Sequence, residues 1–124
     1  MSLNIEIVEA PVGAQTIVLR GTLDSDTAPE LEQRVDTVLS SGVLTLVFDL
    51  AGLNYISSAG LGILFRAKNA MDEKHGKVLL LHLQPQVKKV FEIVKAIPTM
   101  AIFRDQQELD DYLFEMQRRE LDNP

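Results

Sequence analysis

The residues best able to carry chemistry in this chain are the adjacent hydroxyls Ser57 and Ser58. They sit in the run Asp49-Leu50-Ala51-Gly52-Leu53-Asn54-Tyr55-Ile56-Ser57-Ser58-Ala59-Gly60-Leu61-Gly62-Ile63-Leu64. β-favouring Val47-Phe48 precede that run, and helical periodicity from Ile63 to Met71 follows, so both serines fall at a helix N-terminus. A serine there can cap free backbone N–H groups, and a phosphate added to it would meet the positive end of the helix dipole. On local chemistry alone, capping and phosphate acceptance both stay open. Hydrolysis is a third reading, and it lacks parts. Residue 56 is Ile, which breaks the Gly-x-Ser-x-Gly nucleophile elbow. His75 reads as a polar residue at a helix end and His82 as the end of a strand, so no general base is placed by sequence. Phe65 stands where a third glycine would complete Gly60-x-Gly62 into a dinucleotide loop, and no P-loop run exists. Two unlinked histidines make no metal site, and no cofactor is expected. Asp24 and Asp26 read as turn or capping residues rather than an acid/base pair.

Presenting two serines in this way requires a strand before them and helices beside it. Leu3, Ile5 and Ile7 alternate with Asn4 and Glu6 as a half-buried strand. Turn residues Ala10 to Gly13 then lead to a second strand, Thr16 to Leu23, paired with the first as a hairpin. Thr27 with Glu30 has the capping-box form, and Pro29 suits a first turn. Leu31, Val35, Val38 and Leu39 line one helical face, and Gly42 is the expected stop. Val43 to Leu50 is an apolar run of the kind expected of a strand buried on both faces. The second helix is expected from about Ala59 to Lys74, with Ile63, Leu64, Ala67, Ala70 and Met71 in the core. Leu61 and Phe65 widen its apolar arc, either as further core or as a partner-contact patch. Gly76 is the expected helix end, and Lys77 to His82 another buried strand. Pro85 opens a third helix with Val87, Val90, Phe91 and Val94 on one face, closed by Ile97-Pro98. Met100 to Phe103 reads as a short strand and Asp105 with Glu108 as a cap; Leu109, Tyr112, Leu113 and Met116 form the stripe of a last helix. The order predicts an α/β domain, a mixed β-sheet of four to five strands with about four helices packed on it. Residues 1–117 form that single domain and 118–124 a polar tail.

With 124 residues the chain is long enough for one core. A net charge of −6 argues against nucleic acid as a direct partner, because phosphate binding needs basic clusters. There are no cysteines, so disulfides and thiolate chemistry are excluded and a cytoplasmic setting is favoured. Met1 to Glu6 lack the basic-then-apolar order of a secretory leader. No stretch reaches the roughly 18–20 uncharged apolar residues of a spanning helix, so membrane insertion is not expected.

Four pieces in this order resemble the STAS family, specifically the bacterial anti-sigma factor antagonists. They are Gly21-Thr22-Leu23-Asp24 with Thr27-Ala28; Leu46-Val47-Phe48-Asp49-Leu50; Leu53-x-Tyr55-Ile56-Ser57-Ser58-Ala59-Gly60-Leu61-Gly62; and Pro85-x-Val87-x-x-Val90-Phe91. The resemblance implies a STAS-like fold and a non-enzymatic binding module that engages an anti-sigma factor serine kinase and so releases a sigma factor. In that family a serine of an Asp-Ser-Ser/Thr-Gly-Leu motif is phosphorylated by the kinase, and a PP2C-type phosphatase resets it. Aligning on Gly60-Leu61-Gly62 places the acceptor at Ser58, with Ser57 the second candidate. Ser57 occupies the usual acidic position and Ala59 that of the second hydroxyl. Asp24 matches the family's acidic loop residue. The implied partner surface is Asp24, Ser57, Ser58, Gly60, Leu61 and Phe65, on a monomer or weak homodimer. A non-switching STAS scaffold, or an accessory subunit of a stressosome-like or transport complex, is the alternative.

Overall fold

The structure, a computed structural model, describes residues 2–9, 13–96, 107, 111, 114, 115, 117–119 and 121. Leu3–Glu9 (β1) and Ala14–Leu23 (β2) form the expected antiparallel hairpin. Ala28–Leu39 (α1) crosses over to Thr45–Ile56 (β3), which runs parallel to β2. Ser58–Glu73 (α2) then leads to Lys77–Leu81 (β4), parallel to β3, and Pro85–Ala96 (α3) follows. The sheet order is β1-β2-β3-β4, a mixed α/β sheet as expected. The described residues between 107 and 121 are helical, including Arg118, Arg119 and Leu121 beyond the boundary put at residue 117. The turn at 10–12, Ile97-Pro98, Met100 to Phe103, the cap at Asp105 and Glu108, and Leu109, Tyr112, Leu113 and Met116 lie outside the described residues.

One core holds these elements together. Ile17 and Leu19 of β2 and Leu46, Phe48 and Leu50 of β3 are fully enclosed. They meet Leu31, Val35 and Val38 of α1, Ile63, Leu64, Ala67 and Met71 of α2, and Val87 and Val90 of α3 in a single cluster. Burial alternates along β3: Thr45, Val47 and Asp49, interleaved with the buried residues, are only half-buried. β3 is therefore buried on one face, not two. The apolar run misled because Val47 sits on the open face, where a parallel strand is usually covered.

β4 departs from expectation for the same reason and one more. It is an edge strand among the described elements, and Leu79 and Leu81, on the open face with Val47 and Asp49, are 46% and 41% exposed. The end of α2 also differs. His75, not Gly76, takes the left-handed turn, with φ 61°. Gly76 is required by space instead: a Cβ there would stand 2.8 Å from the Leu44 carbonyl oxygen and 2.7 Å from Met71 Cε.

β3 is long, and β4 accompanies it only as far as the Asp49–Leu81 pair. Beyond that point side chains take the backbone groups that a neighbouring strand would use. Gln84 Nε2 donates to the Ala51 carbonyl at 2.7 Å, and Gln86 Nε2 to that of Asn54 at 3.3 Å. An extended edge left open would template pairing with another chain, and these amides close it.

Candidate functional site

β2 and β3 are parallel and end together, Leu23 opposite Ile56, so the loops that follow them share one corner. The join is direct: Ser57 N–H donates to the Leu23 carbonyl at 2.9 Å. Ser57 is the N-cap of α2 with extended backbone, and its Oγ accepts from Gly60 N–H at 3.4 Å. Ser58 is the first residue of the helix. The expected cap is thus Ser57's role, and Ser58 stands where the helix N–H groups and dipole converge. Both residues are largely enclosed, Ser57 at 5% and Ser58 at 9% exposure.

The Asp24 loop is organised by its own side chains. Asp24 Oδ1 accepts from the N–H groups of Asp26 at 2.9 Å and Thr27 at 3.1 Å. Thr27 Oγ1 donates to the Thr22 carbonyl at 2.9 Å and accepts from Asp24 N–H at 3.0 Å. That hydroxyl makes no cap bond to α1, so the Thr27–Glu30 capping box is not formed. The reason is local: Thr27 has αR backbone, and its Oγ1 is already engaged by the turn.

Gly60 allows α2 to approach this corner closely. A Cβ there would lie 2.5 Å from Leu23 Cγ. Leu61 is buried with the core and supports the corner from beneath. Phe65, one turn on, is 40% exposed and sets its ring edge against Phe91, centroids 6.3 Å apart. Gly62 faces open space: nothing lies within 4 Å of a Cβ built on it. Exposed Gly62, Phe65 and Arg66 make the outer face of α2, with Arg66 paired to Glu32 of α1 at 2.8 Å. The structure therefore brings Asp24, Ser57, Ser58 and Gly60 together, puts Leu61 below them, and places Phe65 a turn away.

The sequence reading missed Gln117. Its carboxamide, 2% exposed, accepts from Ile56 N–H at 2.8 Å and donates to the Ile56 carbonyl at 2.9 Å. Phe114 on the same helical segment meets Tyr55 edge-to-face, centroids 5.9 Å apart. A cavity of about 480 Å³ opens beside them, lined by Thr22, Asp24 and Tyr55 on one side and Phe114, Arg118 and Leu121 on the other. A polar residue whose partner is backbone 61 positions away leaves no periodic signal.

Neither histidine stands at the serine corner. His82 Nδ1 lies 3.2 Å from Asp49 Oδ1, about seven residues and roughly 23 Å along β3 from Ile56. His75 follows the far end of α2, roughly 24 Å of helix from Ser58. Asp49's carboxyl is held below its ordinary value, first by the Ala51 N–H and then by His82, but it sits on the open sheet face. Among the described residues no cluster of His, Cys, Asp and Glu could hold a metal ion, and no helix is long and apolar enough to cross a membrane.

A one-sided mixed sheet that leads into a serine-capped helix beside an acidic turn defines an α/β domain architecture. The STAS domain family model matches residues 7–109, and the chain belongs to that family. A Bordetella bronchiseptica protein, BtrV, provisionally named an anti-sigma factor antagonist, is 36% identical over 93 residues, covering 75% of this chain and 78% of that one. The anti-sigma F factor antagonist of Lysinibacillus sphaericus is 26% identical over 102 residues, 80% and 87% of the two chains. Among solved structures, the Bacillus anti-sigma factor antagonist SpoIIAA matches with a TM-score of 0.64 at 21% identity, over 73% of this chain and 83% of that one. The figures are the same for its unphosphorylated and phosphorylated forms.

Proposed function

We propose that this chain is an anti-sigma factor antagonist, a binding module rather than an enzyme, switched by phosphorylation at Ser58. Unphosphorylated, it binds an anti-sigma factor serine kinase and releases the sigma factor; a PP2C-type phosphatase restores that form. The names of its relatives support the class of function. The observation that carries the site is the Ser57–Leu23 hydrogen bond, which holds the Asp24 loop against the first turn of α2. A phosphate on Ser58 would add about −1.5 to −2 charges at that junction. The helix dipole favours an anion there by about 0.3–1 kcal/mol, so the domain keeps its fold. The partner instead meets added negative charge in the contact surface made of the Asp24 loop, Ser58 and the outer face of α2 with Phe65.

Incubation with the cognate kinase and ATP, followed by mass mapping, tests this directly; phosphate on neither Ser58 nor Ser57 would sink the switch. One observation favours the second reading, a STAS scaffold without a phosphoswitch in a larger assembly: both serines are enclosed. The two readings separate on Ser58→Asp, which binds the partner like wild type in a scaffold and poorly in a switch.

A further inference from the structure

We infer that Gln117 is a positioning residue for the serine corner, and that the C-terminal helical segment is one half of the mount on which Ser58 is presented. β3 outruns β4, so among the described strands Ile56 has a neighbour only on the β2 side. On its other side the Gln117 carboxamide makes the pair of bonds a strand would make, one accepted and one donated, at 2.8 and 2.9 Å. A carboxamide matches a peptide group in donor and acceptor, and here it is buried, so each lost bond leaves an unsatisfied backbone group.

The position matters more than the bonds. Only Ser57 separates Ile56 from Ser58. Ser57 is fixed by Leu23 on one side and fixes Gly60 on the other. Ile56, Ser57 and Gly60 therefore form a chain of restraints from the C-terminal segment, through the strand end, to the first turn of α2. Gln84 and Gln86 close the same edge, but at Ala51 and Asn54, outside that chain. Phe114 against Tyr55 docks the segment one residue earlier on β3.

The test compares Gln117→Met, which keeps length and removes both bonds, with Gln84→Met, which removes an edge bond of the same kind further from the serines. Gln117→Asn, one methylene shorter, serves if the methionine variant does not fold. Amide hydrogen exchange needs no partner. The Gln117 variant speeds exchange about tenfold at Ile56 and also at Ser57 and Gly60, whereas Gln84→Met leaves those three unchanged. Acceleration confined to Ile56 overturns the inference, as does equal spread from Gln84→Met. A second arm rests on Ser58 being the acceptor: with the cognate kinase, the Gln117 variant lowers kcat about tenfold while KM stays within about twofold, since the docking surface is intact. A raised KM with unchanged kcat, or no change in either, also overturns it. If the wild type takes no phosphate, the switch proposed above fails and the exchange arm alone decides Gln117.

Discussion

Gly60 and Gly62 lie two residues apart on α2 and face opposite surroundings, so the same substitution has opposite signs. Gly60→Ala puts a methyl 2.5 Å from Leu23 Cγ in a closed core. Overpacking of that kind costs about 1–3 kcal/mol, more than the roughly 1 kcal/mol alanine gains in helix propensity. Gly62→Ala meets open space and keeps the propensity gain, up to about 1 kcal/mol. Urea unfolding of the two variants checks both signs. Asp49 gives a pH test at the same scale. The Ala51 N–H and then His82 depress its folded pKa. Its stabilising effect is therefore complete above the unfolded carboxylate value, near about pH 4, and is lost as pH falls through the lower folded value. The gap in urea midpoint between wild type and Asp49→Ala should narrow as pH falls below about pH 4.

At the scale of elements, α2 separates the two serines by role. Ser57→Ala removes the N-cap and should cost about 1 kcal/mol in chemical denaturation while leaving the proposed kinase-dependent phosphorylation of Ser58 in place. Ser58→Ala should spare the cap and abolish the phosphate in mass mapping. A serine cap at this helix start was legible in the sequence as a local pattern, and so was the order of strands and helices, whereas the choice of Ser58 as acceptor came only from the family resemblance. Exposure of the strands was not. Val47, Leu79 and Leu81 are apolar yet lie on the open face of the sheet, so composition alone put both faces of β3 and β4 in the core. Thr27 failed as a cap for a related reason. The residue type fits, but the Asp24 turn uses its hydroxyl first. Gln117 was out of reach altogether, since its recognition of Ile56 depends on how the chain returns to a strand edge left bare by a short neighbour.

For the whole molecule, the fold and the proposed switch make separable demands. The core involves neither serine's hydroxyl. Ser58→Asp should therefore leave the far-ultraviolet circular dichroism unchanged and the Tm within a few degrees. Its effect belongs to association, where two physical causes are available. The chain already carries −6, so added charge would repel an acidic partner at long range. It would also have to be desolvated at contact without a counter-charge, which costs several kcal/mol. Salt separates these causes, because the Debye length shrinks to about 3 Å near 1 M and removes long-range repulsion but not contact desolvation. The corner is enclosed and hydrogen-bonded, so desolvation should dominate. Isothermal titration should then find partner binding weakened at least about tenfold by Ser58→Asp at both about 0.1 M and about 1 M salt. Recovery of wild-type affinity at high salt would instead make the switch a matter of overall charge, and neighbouring surface acids would then do as well as Ser58.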